Sequence, residues 1–97
     1  PIGVIHTSRL YDAYPNPFNP STTIKVDMAK TAQASLTIYD VLGQKVKTLF
    51  NGNLNKGSSR FVWNGTDNSG RKVASGLYFY QLKTKDLAQT KAVMLIK

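Results

Sequence analysis

Ninety-seven residues, 41% of them hydrophobic, fit a single domain with its own core, and a chain this short buries only about 60–65% of its unfolded surface, which leaves little for a deep catalytic cavity. The chain has no cysteine, one histidine and no glutamate, so a disulfide framework and a thiolate metal site are excluded. Thirteen Lys and Arg against five Asp give a net charge of +8, spread from Arg9 to Lys97 without the dense run that marks a nucleic-acid patch.

No apolar run approaches the roughly 20 residues of a membrane-spanning helix, and no signal-peptide pattern opens the chain. The opening on Pro1 reads as excision from a longer polypeptide whose export signal lies upstream. Residues 1–13 show no sustained period and are expected to be a linker or loosely docked leader, with His6 in it. Residues 14–97 form the domain proper.

The domain begins with Tyr14-Pro15-Asn16-Pro17-Phe18-Asn19-Pro20-Ser21, three prolines in eight residues. Proline fixes its own φ and pushes the preceding residue towards extended geometry, so this piece should be stiff and extended. Without N–H donors it belongs at a sheet edge or across the end of a sandwich, with Tyr14 and Phe18 as anchors.

Period-two alternation follows: Ile24, Val26 and Met28 between Lys25 and Asp27, then Ala34, Leu36 and Ile38 between Ser35, Thr37 and Tyr39. Asp40-Val41-Leu42-Gly43 reads as a turn, Lys45 to Leu49 as a third strand that ends before Asn51-Gly52. Phe61 and Trp63 share one face of a fourth strand, with Trp63 assigned to the core. Asn64 to Gly76 should fold as successive tight turns around a short Lys72-Val73 extension. Leu77 to Lys83 is an aromatic strand with Tyr78, Tyr80 and Leu82 on one face. Lys91 to Lys97 closes the chain with apolar residues on both faces; it is either central and covered twice, or one face awaits a partner. The fold class is all-β, an antiparallel sandwich.

Catalysis needs paired groups, and one histidine in the leading segment with five separated aspartates points away from an enzyme. No cofactor is implied. Asp67, in the oxygen-rich stretch Asn64 to Gly70, is a weak calcium candidate set against an ordinary Asx turn. Trp63, Tyr39, Tyr78, Phe79 and Tyr80 raise the alternative of a carbohydrate-binding accessory module.

Four stretches carry a resemblance: Tyr14 to Ile24, Leu36 to Val46, Phe61 to Gly70, and Ser75 to Tyr80. In that order they resemble the type A C-terminal sorting domain of the type IX secretion system. The stretch from Leu36 to Tyr80 also resembles the immunoglobulin-like domain of the flagellar hook-capping protein. The sorting-domain resemblance implies an immunoglobulin-like sandwich of about seven strands, attached to an exported cargo. It implies recognition by an outer-membrane translocon, processing by a sortase-like peptidase at a point upstream of Tyr14, and secretion or attachment to the cell surface, with anionic lipopolysaccharide as a possible acceptor. The final strand, through Lys91, Val93, Leu95 and Lys97, is the expected recognition element, since an edge strand offers main-chain hydrogen bonds to a partner.

Overall fold

The computed structural model describes residues 7–97, which leaves His6 and the first part of the leading segment outside the described residues. Seven strands follow in chain order: β1 (Arg9–Leu10), β2 (Thr22–Met28), β3 (Ala32–Tyr39), β4 (Lys45–Leu54), β5 (Gly57–Trp63), β6 (Gly76–Thr84) and β7 (Ala88–Leu95). They make two antiparallel sheets, β1-β2-β5 and β4-β3-β6-β7, packed as a sandwich. The all-β expectation of about seven strands is met.

Side-chain alternation decides the layers. Ile24, Val26 and Met28 from β2 face Leu36 and Ile38 from β3 and Tyr80 and Leu82 from β6, all essentially without solvent contact. Each such aliphatic side chain contributes about 1.5–3 kcal/mol by leaving water. Tyr80 brings a hydroxyl into this layer and donates it to the Tyr11 carbonyl at 2.8 Å, which removes the cost of an unpaired buried group. Burial pushes the Tyr80 phenol up to about 12.

The sandwich starts earlier than the alternation suggested. Arg9 and Leu10 pair with Asp27 and Val26, and because Val26 faces inward, Leu10 does too; it is fully buried, as is Ala13. Arg9–Leu10 and Ala13 therefore pack with the sandwich. Tyr14 departs from its anchoring role for the same reason of parity: it bridges Thr23, which lies on the outer face, and is 81% exposed. Phe18 is the anchor, buried against Trp63 with ring centroids 5.3 Å apart. The proline segment is bent rather than extended, with its three X–Pro bonds cis.

Two strand limits also differ. β4 runs through Asn51-Gly52 to Leu54, because Ala34 and Ser35 of β3 continue to pair with those residues. β7 begins at Ala88 and lies at the edge of the four-stranded sheet, not at its centre, with Val93 and Leu95 buried on one face.

Candidate partner-recognition site

The four stretches that carry the sequence resemblance meet at one end of the sandwich. β2 starts there, β3 ends there, β5 delivers Trp63 there, β6 starts there and β7 ends there. Trp63 is the hub. Its indole is fully buried, lies tilted against Phe18 at 5.3 Å and edge-on to Tyr78 at 5.2 Å, and donates Nε1–H to the Thr66 carbonyl at 2.8 Å. A ring so enclosed cannot present a stacking face to a sugar, whereas Tyr39 and Phe79 lie opposite one another on β3 and β6, half-buried on the outer face.

Two turns at this end share one construction. Asp40 Oδ1 accepts the N–H of Leu42 and of Gln44, both at 2.9 Å, and its carbonyl accepts Gly43 N–H at 3.0 Å. Asp67 Oδ1 accepts the N–H of Ser69 at 2.9 Å and of Arg71 at 3.0 Å, and its carbonyl accepts Gly70 N–H at 3.0 Å. The common signal is Asp followed three residues later by a glycine with positive φ, 79° at Gly43 and 88° at Gly70. The Asp67 carboxylate thus serves its own turn. The Ser69 hydroxyl, at 2.7 Å, and these amides hold its pKa below the usual carboxylate value. No group of three or more His, Cys, Asp or Glu is gathered for a metal among the described residues.

The last strand is finished from an unexpected side. Phe18 N–H donates to the Met94 carbonyl at 2.9 Å and Ile96 N–H donates to the Phe18 carbonyl at 3.0 Å. Asn16 adds its side chain, accepting Met94 N–H at Oδ1 at 2.9 Å. The proline segment thereby occupies the outer edge of β7 from Met94 to Ile96. This is how an edge strand is blunted against unwanted pairing.

The four recognition candidates consequently part company. Val93 and Leu95 point into the core and are buried; Leu95 lies 3.3 Å from where a side chain on Gly65 would begin. Their side chains can act on a partner only through packing. Lys91 is half-buried and its Nζ lies 2.9 Å from Asp12, whose carboxyl is held below its usual pKa by that hydrogen bond and charge. Lys97 is exposed and flanks, with Lys72, a cleft of about 250 Å³ between the proline segment, the Asn64-Gly65 turn and Leu95.

Solvent reaches several apolar side chains around this end. The large apolar side chains exposed among the described residues are Tyr14, Val41, Leu42, Val62, Leu77 and Ile96, and every one lies at this end of the sandwich. Leu42 is 80% exposed at the tip of the Asp40 turn. Val62 and Tyr14 lie on the outer face of the three-stranded sheet and Leu77 on that of the four-stranded sheet, so these side chains ring the end of the sandwich.

The immunoglobulin-like domain of FlgD, as a family model, matches residues 15–87. The chain belongs to the FlgD Ig-like domain family. Among solved structures, dimeric latent PorU from Porphyromonas gingivalis is similar over 95% of this chain, with a TM-score of 0.76 and 20% identity. PorZ of the same organism, described as an essential bacterial surface component of the type-IX secretion system, is similar over 91% with a TM-score of 0.58 and 23% identity. FlgD from P. aeruginosa is similar over 76% with a TM-score of 0.58 and 24% identity. The chain spans about a tenth of the PorU and PorZ chains, 10% and 11%, and 58% of that FlgD chain. No curated protein matches it. These likenesses establish the family's sandwich; among the described residues no helix is long and apolar enough to cross a membrane.

Proposed function

We propose that this FlgD Ig-like domain is a non-catalytic sorting module that directs an exported cargo through the type IX outer-membrane translocon to release or surface attachment. The observation that carries the reading is the convergence of all four motif stretches, with the exposed apolar side chains, at one end of the sandwich. A fold that merely needed to be stable has no reason to collect its exposed apolar residues there. The likeness to PorZ, a type-IX surface component, supports the same direction. In this reading the translocon meets the motif end, and Lys97 and Leu42 are touched directly while Val93 and Leu95 hold the strand in place. A sortase-like peptidase would act upstream of the sandwich, and the net charge of +8 suits an anionic lipopolysaccharide surface.

The test is fusion of the whole chain behind a periplasmic reporter in a type IX-competent bacterium. Export to the medium or surface is expected, and the Leu42→Asp variant should fold but export poorly. A reporter that stays in the periplasm overturns the sorting role. Its place would then be taken by a structural assembly module, the reading favoured by the match to FlgD over residues 15–87.

A further inference from the structure

β5 leaves a sheet edge open over its whole length. β1 is only two residues long, the end of β7 is plugged by Asn16 and Phe18, and the start of β4 is covered where Asn68 donates N–H to the Val46 carbonyl and accepts Thr48 N–H. On β2, Thr23 exchanges both backbone hydrogen bonds with Tyr14, and the Lys25 carbonyl accepts Tyr11 N–H. The odd residues of β2 therefore face β1, and the even residues Ile24 and Val26 bond to their β5 partners Phe61 and Ser59. Alternation leaves the N–H and C=O of Ser58, Arg60 and Val62 pointing away from the sheet. None of the turn, loop or side-chain hydrogen bonds among the described residues reaches them.

The side chains around this edge specify what would suit it. Lys25 and Arg60 lie directly opposite one another, a like-charge pair that costs the sheet stability. Lys25 turns away from the edge toward β1, where it and Arg9 sit 4.5 and 4.4 Å from the centre of the Tyr11 ring, so Arg60 is left as the cation beside the free edge. The acid here, Asp27, is taken by the hydroxyls of Tyr11 and Ser58, each at 2.5 Å. On the inner side of the edge, Phe50 and Phe61 pack tilted with ring centroids 5.5 Å apart, half-buried where β4 leaves one sheet and β5 enters the other.

We propose that the β5 edge accepts an extended peptide as an added strand, one whose residues alternate between acidic and apolar. Its backbone would pair with Ser58, Arg60 and Val62, its acidic side chains would lie beside Arg60, and its apolar ones would cover Phe50 and Phe61. A second copy of this chain is a poor occupant. Two chains of charge +8 repel, and antiparallel pairing of β5 with itself centres Arg60 on Arg60. The inference is independent of the sorting role.

The test uses the ¹⁵N-labelled chain, titrated with a short blocked peptide alternating valine and glutamate. Parallel titrations use the valine–lysine analogue and an oligogalacturonate as an acidic saccharide. The amides of Ser58, Arg60 and Val62 should shift with the glutamate peptide alone, and added salt should weaken the effect. Arg60→Glu should weaken binding at least about tenfold and transfer preference to the lysine peptide. Val62→Pro removes an edge N–H that β2 does not use, and should cost a similar factor while the spectrum stays dispersed. Absence of binding, shifts centred elsewhere, a response at Arg9 and Tyr14 to the saccharide but not the peptide, or self-association through β5 would each overturn the proposal.

Discussion

β7 and β5 are both edge strands of antiparallel sheets, and they are finished in opposite ways. The outward backbone groups of Met94 and Ile96 are taken by Asn16 and Phe18, while those of Ser58, Arg60 and Val62 face solvent. Strand length does not separate them, since β7 has eight residues and β5 seven. What separates them is the proline segment, which reaches one side of the sandwich. The end of the strand expected to dock a partner is therefore closed, and the strand with no such expectation is open along its length.

The largest expected effect comes from removing the anchor of the closed side. Phe18→Ala should cost about 3–5 kcal/mol in denaturant unfolding, through the cavity left beside Trp63 and the loosened proline segment. Val62→Ala at the open edge should stay within about 0.5 kcal/mol. Equal losses would remove the contrast. Next comes Gly65→Ala, where φ is +72° and Leu95 lies 3.3 Å from the added carbon; a left-handed alanine costs about 1–2 kcal/mol, read as a lower unfolding midpoint. Smaller again is Asn16→Ala, which deletes the acceptor for Met94 N–H at about 0.5–1.5 kcal/mol, with no change expected on β5.

Acid acts on both sides. Asp12 is held below its ordinary pKa of 3.8 by Lys91; at Asp27 burial works the other way, but the hydrogen bonds from Ser58 and Tyr11 outweigh it. A depressed native pKa means stability that is whole above about pH 4 and is lost as pH falls through the native values. At the alkaline end the sign reverses: Tyr80, raised from 10.0 to about 12, supports the fold below pH 10 and withdraws that support as pH climbs through 12. Thermal melts across both ranges check the two limbs. The smallest effect is expected for Lys91→Ala, whose ion pair with a largely exposed Asp12 salt should screen away.

The fold was legible wherever alternation was clean. β2, β3 and β6 follow from their period, and buried Trp63 from its place beside Phe61. Leu10 was not legible, because a two-residue strand has no period to read and gains its place only from Val26 across the sheet. Tyr14 misled for a related reason: an aromatic flanked by prolines looks like an anchor, but its partner Thr23 fixes its side. The Asn51-Gly52 pair carries a turn signal that pairing with β3 overrides. At the candidate site the two Asp turns could be read from spacing. The plug on β7 could not, since no local pattern tells that Asn16 meets Met94 at a separation of 78 residues.

Amide hydrogen exchange, resolved by residue on the isolated chain, compares the two edges most directly. Met94 and Ile96 should be strongly protected, and Ser58, Arg60 and Val62 should exchange fast although they lie in a strand just as regular. Equal exchange at the two sets would contradict the account.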